Sequence, residues 1–259
     1  MLKIYFKMKE QYIKTEMEYT FNFWMMLFSG VLMRGLMLAI PYVIFRNIPD
    51  IAGWQESEVY LIMALMFLSE GFCNIFFDGI WGIPSKVFRG EFDIYLSRPI
   101  SPLFQVLADA LGVHGLGVTG IGFISMILAL RNMHNFTIQL LLLCIVFIIC
   151  GTVIRMSVYL ITNSFVFWFE SGGGSNIPFT VYSIGEYAKY PVNIYPVWMQ
   201  IILLYIIPFG FIGFAPVQIL RGEQVLFYSL GLVGISVVFL LLARLVFYKG
   251  ITRYESMGM

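Results

Sequence analysis

The sequence predicts an all-α integral membrane protein with about six transmembrane helices. Of its 259 residues, 59% are hydrophobic and only 12% are charged, whereas an ordinary soluble domain is about 25% charged. So few charges cannot cover a surface that faces water. Phe and Tyr are abundant, with 25 and 15 copies, and such side chains suit lipid-facing helices and the aromatic belts at membrane interfaces. Lipid is therefore the expected solvent for much of this single domain, residues 1–259.

Residues 1–18 carry lysines among apolar side chains and precede the first long apolar run. On a helix, Lys3, Lys7 and Lys14 share one face, and apolar side chains occupy much of the remainder. This pattern predicts an amphipathic helix that lies along the inner leaflet, with a plain basic tail as the alternative. The apolar run that follows is about twice the length of a signal-peptide core and has no small-residue cleavage site, which favours a retained span.

The first three spans are predicted over residues 20–45, 58–78 and 102–130. Between the second and third lies a polar insertion, residues 83–105. After residue 136 the chain stays apolar to residue 169, which exceeds the ~20 residues that one crossing needs.

Either one helix projects well beyond the bilayer there, or two spans meet near Arg155. We favour two spans, because a cation inside hydrocarbon costs at least about 3 kcal/mol and a cytoplasmic turn avoids that cost. The fifth span then runs from about Met156 into the 180s, through Glu170 and Gly172–Gly174.

Residues 190–223 contain Pro191, Pro196, Pro208 and Pro216. So many prolines break or kink a helix, which suits a segment that enters the membrane and returns. Non-helical backbone at membrane depth must be surrounded by protein or water. An uninterrupted last span, about 225–247, and a short basic tail follow.

Lys and Arg are unevenly distributed between the two sides of this arrangement. With the N-terminus inside, the outer segments hold only Arg46, Arg131, Lys189 and Arg221. The asymmetry places both termini and residues 83–105 in the cytoplasm, in a plasma membrane. It does not decide whether the chain turns at Arg155.

No catalytic or metal-binding constellation is recognisable. The patterns GxxxxGK[ST], HExxH and GxSxG do not occur, and the run Ser171–Asn176 is predicted to be a flexible or helix-breaking stretch. The only histidines are His114 and His134. The cysteines are predicted to be small buried apolar residues instead of ligands or a disulfide. A net charge of +1 gives no indication of nucleic acid as a partner.

Several ionisable residues fall within the predicted spans, where such groups by default face the bundle interior. They are Arg34, Glu70, Asp78, Asp109, His114 and Glu170. Asp78 and Asp109 lie near helix ends, so an interfacial position is expected for both. Glu70 lies mid-span and is the best candidate for a pore-facing or pairing charge. Ordinary hydrogen bonding between helices is the alternative for all of them.

Three stretches carry a family resemblance. The run RGEFDIYLSRPISPLFQ, residues 89–105, resembles the signature of type-2 ABC transporter permeases, especially a bacterial subgroup of uncharacterised permeases. Residues 190–223 resemble the outer segment before the last span in that family, and residues 248–259 resemble its C-terminal tail. The similarity extends over nearly the whole chain.

The resemblance implies that residues 83–105 carry a coupling helix that rests on an ATP-binding subunit. Phe92, Ile94, Tyr95 and Leu96 would be apolar knobs in a groove of that subunit, and Pro99 would help to end the helix. The charged residues would set the register at the rim. The implied coupling residues are Arg89, Gly90, Glu91, Phe92, Asp93, Leu96, Arg98 and Pro99.

The resemblance also implies an exporter assembled from two permeases and two ATPase subunits in a bacterial cell membrane. A related, non-identical second permease is favoured, and a homodimer remains open. ATP and Mg would bind the ATPase subunits, with no cofactor or metal on this chain. Residues 1–18 would be the interfacial connecting helix. The outer gate would contain Pro196, Pro208 and Pro216.

Two other functional classes remain open. An ion-coupled secondary carrier would use a carboxylate such as Glu70, although no internal repeat is evident. A membrane-embedded lipid-modifying enzyme would need a clustered catalytic set. The sequence does not indicate a substrate.

Overall fold

The structure is a computed structural model that describes residues 2–48, 50–131, 138–169 and 176–254. These residues form helices and short connections, with one isolated bridge between Ile51 and Trp54. The predicted all-α architecture is therefore confirmed.

Twelve α-helices follow one another along the described chain. They are α1 (Leu2–Glu18), α2 (Thr20–Asn47), α3 (Glu56–Phe77), α4 (Ile83–Phe88), α5 (Asp93–Ser97), α6 (Pro102–Ala108), α7 (His114–Arg131), α8 (Ile138–Ser164), α9 (Ile177–Gly185), α10 (Val197–Ile201), α11 (Phe214–Arg221) and α12 (Val225–Ile251). Short 3₁₀ turns connect several of them, and one turn of π-helix follows α10.

Within the described ranges, 5 helical stretches are long and apolar enough to cross a membrane. They are Thr20–Asn47, Glu56–Phe88, His114–Arg131, Ile138–Trp168 and Val225–Ile251. Their lengths and composition agree with an integral membrane protein.

The predicted turn at Arg155 is wrong. Helix α8 runs through this position without a break, and the Arg155 side chain is only 1% exposed. Its guanidinium donates to the Tyr159 hydroxyl at 2.9 Å and lies 4.8 Å from the centre of the Phe209 ring. The predicted turn assumed that a cation in an apolar run would face lipid, whereas the protein interior solvates Arg155 with a hydroxyl and an aromatic face.

The predicted fifth span is also wrong in its boundaries. A 3₁₀ turn, Phe165–Trp168, ends the α8 stretch, and the next described helix is the 9-residue α9. Glu170 and Gly172–Gly174, which that prediction included, lie outside the described residues.

The predicted third span is divided into α6 and α7. Between them the chain passes close to the end of α3, where the Gly112 N–H donates to the Asn74 carbonyl at 3.0 Å. A Cβ at Gly112 would lie 3.0 Å from the same oxygen, so only glycine allows the backbones to approach here.

Contacts define two ends of the helix bundle. At one end, the Tyr254 ring packs on Phe92, and the Tyr5 hydroxyl, near the other terminus, donates to the Phe76 carbonyl. Both described ends of the chain and residues 83–105 therefore lie at this end. At the opposite end, the loop between α2 and α3 binds Asn193 through the Trp54 indole N–H, at 2.8 Å.

The stretch from α9 to Asn193 runs between these two ends. Phe167, at the end of α8, packs on Phe92 with ring centres 5.1 Å apart, whereas Asn193 binds Trp54. Short helices and turns thus lead back across the bundle where one long helix was expected.

Helix α3 is the central element, and its residues from Val59 to Leu68 are buried. It packs closely on α7, where a Cβ at Gly115 would lie 2.8 Å from the Asn74 side chain. Helix α7 also approaches α2, where a Cβ at Gly117 would clash with the Leu27 carbonyl. Small residues at such contacts let helix backbones approach in a membrane, where the hydrophobic effect does not drive association.

Substituting Gly117 with Ala should destabilise the bundle. The added methyl would meet Leu27 and also lie 2.9 Å from the Val31 nitrogen, and overpacking of this kind costs about 1–3 kcal/mol. Gly120→Ala is the matched control, because a Cβ there has no neighbour within 4 Å. Thermal unfolding in mild detergent should show a lower melting temperature for Gly117→Ala alone. Equal melting temperatures for the two variants would contradict the α2–α7 contact.

Candidate functional site

The segment of residues 83–105 folds as three short helices joined by tight turns. Gly90 has a φ of 67°, in the left-handed region that favours glycine, and lets the chain turn between α4 and α5. The Arg98 backbone is extended, with a ψ of 145°, as expected for a residue that precedes proline. Pro99 is exposed just after α5. Pro102 begins α6, where its missing N–H costs nothing.

Phe92 is the anchor of this segment. Its side chain is fully buried and packs on the rings of Phe167 at 5.1 Å, Tyr254 at 5.5 Å and Phe247 at 6.4 Å. Phe167 lies in the 3₁₀ turn that follows α8, Phe247 lies near the end of α12, and Tyr254 follows α12. Phe92 thus ties the segment to two long helices.

The expectation that Phe92 and Tyr95 project as knobs is wrong. Tyr95 is only 7% exposed, and its ring stacks on Phe92 at 5.6 Å. The large rings bury more apolar area within the chain itself than the aliphatic side chains beside them. Ile94 and Leu96 are the outward-facing apolar residues of α5, with 50% and 42% exposure.

The charged residues of the segment border this apolar surface. Arg89 and Glu91 are exposed and form a loose ion pair at 4.0 Å, Asp93 is partly buried, and Arg98 is exposed. An exposed ion pair of this kind contributes little to stability, so Arg89 and Glu91 can both contact another surface.

Buried polar contacts hold the segment in place. The Gln105 amide donates to the carbonyls of Tyr95, at 2.9 Å, and Ile100, at 2.8 Å. Lys86 forms an ion pair with Asp109. Asp109, predicted from the sequence as an interfacial charge, therefore belongs to this segment and not to the interior of the bundle.

A second group of functional candidates is a buried charge network in the middle of the bundle. Arg34 of α2 donates to the Glu70 carboxylate of α3 and to Glu186 at 3.0 Å. Lys189 donates to Glu186, and its Nζ lies 3.7 Å from Glu70 Oε2. The Tyr182 hydroxyl accepts a further hydrogen bond from Arg34. We call these five residues the charge network.

Three members of the charge network are almost inaccessible. Arg34 is 6%, Glu70 2% and Lys189 1% exposed. Burial of isolated charges would cost several kcal/mol for each ion, so mutual pairing is what allows them to remain inside.

The sequence identified Arg34 and Glu70 as candidates but not their partners. Lys189 was expected in an outer segment, yet it lies among the helices. Glu186 and Lys189 are three residues apart in a 3₁₀ turn, which brings both side chains toward α2 and α3. This three-residue spacing of two charges within the apolar run VYSIGEYAKYPV was the one sequence feature that could have indicated Glu186 and Lys189 as partners.

A cavity of about 500 Å³ lies beside the charge network. It is formed by α2, α3, the turn after α3, α7 and α9. Its lining residues are Ser29, Gly30, Met33, Arg34, Glu70, Asn74, Asp78, Trp81, His114, Val118, Phe179 and Tyr182. Asp78 and His114, both candidates from the sequence, thus share this cavity with Glu70.

The outer segment, residues 190–223, places its three candidate prolines at the starts of helical turns. Pro196 caps α10, Pro208 begins a 3₁₀ turn and Pro216 is in the first turn of α11. Proline is tolerated there because the first N–H groups of a helix have no intrahelical partner. Pro196 is exposed, whereas Pro208 and Pro216 are buried.

Both ends of the outer segment contact the loop between α2 and α3. Asn193 binds Trp54. Arg221, near the other end, forms an ion pair with Glu58 and lies 3.8 Å from the centre of the Trp54 ring. Between these ends, Phe209 reaches Arg155 of α8. The segment therefore enters the bundle and returns to the same end.

Across the described ranges, no group of three or more His, Cys, Asp or Glu side chains is arranged to hold a metal ion.

The apolar helices and the comparison with known families together define the protein class as a membrane permease of the type-2 ABC kind. The family described as "ABC-2 family transporter protein" matches residues 16–258. The chain belongs to this family, as the resemblance in its sequence indicated. Such permeases are normally non-catalytic membrane subunits and generally work with ABC ATPases. Comparisons with curated proteins and with solved structures found no match.

Removing one charge of the network should destabilise the protein. In Glu70→Gln, Arg34 and Lys189 stay buried with only Glu186 as a charged partner, and breaking a buried pair costs about 3 kcal/mol. The expected result is a clear drop in the thermal unfolding temperature in detergent.

Glu10→Gln is the matched control, since the Glu10–Lys14 pair is exposed and should leave unfolding unchanged. Identical unfolding of the Glu70 and Glu10 variants would show that the buried network contributes no net stability.

Proposed function

We propose that this chain is the membrane-spanning subunit of an ATP-driven ABC exporter, and that it forms the translocation path with a second permease. The observation that carries this proposal is the family match over residues 16–258. The second permease is a related, non-identical chain, and the assembly lies in a bacterial cell membrane. ATP and Mg bind the partner ATPase subunits, and this chain contributes no nucleotide site.

The coupling contact is assigned to residues 83–105. Leu96 and Ile94 offer an exposed apolar surface, bordered by Arg89, Glu91 and Arg98. An apolar centre with charges at its rim is the usual composition of a protein interface.

Transmission of movement is assigned to Phe92. Because its ring packs on Phe167 and Phe247, a displacement of the segment would move the ends of α8 and α12 with it. Gly90, Asp93 and Pro99 shape the turns that keep this ring in place.

The outer gate is assigned to residues 190–223, including Pro196, Pro208 and Pro216. This segment descends from the level of Glu58 to that of Met66, near Arg155, which is about 12 Å along α3 at about 1.5 Å per residue. It then returns to Glu58 through Arg221. The segment is held at its two ends and packs inside the bundle between them. It can therefore move to open a path without unfolding the long helices.

Both termini are assigned to the cytoplasm. The five long helices and the broken stretch from α9 to Asn193 make six crossings, which return the chain to the side where it began. Helix α1 would then lie at the inner interface, since Lys9 reaches the Ala110 carbonyl at the same end as residues 83–105.

The proposed coupling contact is tested by Leu96→Asp in the tagged full-length chain. The buried charge should weaken association with the ATPase, so its copurification from native membranes in mild detergent should fall at least about tenfold, equivalent to about 1.4 kcal/mol. Ile194→Asp is the matched control, because Ile194 has the same 42% exposure but lies beside Asn193 at the opposite end. Absence of an ATPase even with the unaltered chain under crosslinking would refute the exporter assignment.

The proposed orientation is tested by single cysteines in a background in which Cys73, Cys144 and Cys150 are replaced by Ala. Glu223→Cys, exposed at the end with Arg221, should react with a membrane-impermeant thiol reagent added to spheroplasts. Ser97→Cys, exposed at the end with Phe92, should react only after permeabilisation. The reverse labelling pattern would show that the proposed orientation is wrong and that both termini lie outside.

A further inference from the structure

The wall of the cavity beside the charge network contains one acidic side chain that has no hydrogen-bonded or ion-paired partner among the described residues. Arg34 uses both terminal nitrogens to bind Glu70, Glu186 and Tyr182, so its charge is already compensated. Asp78 also lines the cavity, and among the described residues no hydrogen bond or ion pair engages its carboxylate.

Two basic groups lie near Asp78 without binding it. His114 lines the same cavity, and Lys9 approaches from α1. The Lys9 ammonium, however, donates to the Ala110 carbonyl. The Asp78 carboxylate therefore remains available to a ligand.

A second carboxylate oxygen on this wall is also incompletely used. Glu70 lines the cavity and is 2% exposed, and its Oε2 has no hydrogen-bond partner among the described residues. The Lys189 ammonium is 3.7 Å away from it, beyond ordinary hydrogen-bond distance. A buried acceptor left without a donor is unfavourable unless something else binds it.

Another part of the wall is formed by three aromatic residues. The Trp81 ring lies 5.4 Å from that of Phe179 and 6.2 Å from that of Tyr182, centre to centre. Phe179 and Met33 are 62% and 61% exposed, although both line the cavity. Aromatic faces attract cations through their quadrupoles, most strongly when water is excluded.

We propose that this cavity binds an apolar organic cation. Trp81, Phe179 and Tyr182 would cover the apolar and cationic parts, and Asp78 would supply the counter-charge. The volume of about 500 Å³ is within the range of about 300–1,000 Å³ for small-molecule sites. An anion would face the Asp78 charge and would find both terminal nitrogens of Arg34 already in use, with only the buried Nε of Arg34 unpartnered in the described part of the chain.

The inference rests on the proposed function and adds a substrate class to it. The cavity extends from Glu70 of α3 to Asp78 in the turn after α3. The proposed orientation places this half of the bundle toward the cytoplasm. A cation entering from that side would meet Asp78 first and the charge network last.

The test uses two probes of the same shape and opposite charge, radiolabelled tetraphenylphosphonium and tetraphenylborate. Each is equilibrated with the full-length chain in lipid nanodiscs, and empty nanodiscs measure nonspecific partitioning. The expected result is saturable binding of tetraphenylphosphonium only. Saturable binding of both ions with equal affinity, or of the anion alone, or of neither, would overturn the proposal.

Variants then locate the site. Asp78→Asn should weaken tetraphenylphosphonium binding by about tenfold, equivalent to about 1.4 kcal/mol, and Trp81→Leu should weaken it as well. Asp50→Asn is the matched control, because Asp50 lies in the loop between α2 and α3 and its oxygen can still accept the Gly53 N–H. Unchanged binding in a folded Asp78→Asn protein would exclude this cavity.

If Asp78→Asn does not fold, the comparison of the two probes on the unaltered chain still decides the charge preference. Binding is measured without nucleotide or ATPase. Cation binding by a chain that captures no ATPase would therefore refute the transporter assignment while leaving the site intact, and the converse result would refute the site alone.

Discussion

The interaction on which the rest of the structure depends is the pairing of four charged side chains, Arg34, Glu70, Glu186 and Lys189, of which all but Glu186 are buried. Lipid cannot solvate them, so each must find its partner within the protein. These partners lie on α2, on α3 and in the turn after α9. The pairing therefore ties the short helix and turn of residues 177–189 to the two long helices α2 and α3. This explains how a chain of short turns can persist inside a membrane bundle.

The same network separates two regions with different properties. On one side lies the cavity, lined by Asp78 and by the rings of Trp81, Phe179 and Tyr182 among other residues. On the other, Phe209 of the outer segment packs on Arg155 and Tyr159. The aromatic cluster around Phe92 is at the far end of α8, so this helix contacts both the segment of residues 83–105 and the segment of residues 190–223. A rigid helix of this kind links the two segments mechanically.

Three of the long helices, α2, α3 and α12, could be predicted from hydropathy, and their ends lie within a few residues of the expected positions. The errors share one cause. Hydropathy treats a cation in an apolar run as a boundary because it assumes lipid on all sides. Arg155 and Lys189 instead face neighbouring helices, and no one-dimensional pattern reports which neighbour is there. The division between α6 and α7 was missed for a similar reason, since the approach of Gly112 to Asn74 is a contact between distant residues.

By itself, the sequence determined that the protein lies in a membrane, that it is all-helical and which family it belongs to. Composition and local motifs are properties of the chain alone. Only the tertiary structure decided what each special side chain does. Phe92 became an internal anchor, and Leu96 and Ile94 form the exposed surface. Glu70 acquired two cations as ion-pair partners, whereas Asp78 has only the more distant basic groups of His114 and Lys9 near its carboxylate. These outcomes depend on which helix faces lie opposite one another, and packing between residues far apart in the sequence sets that arrangement.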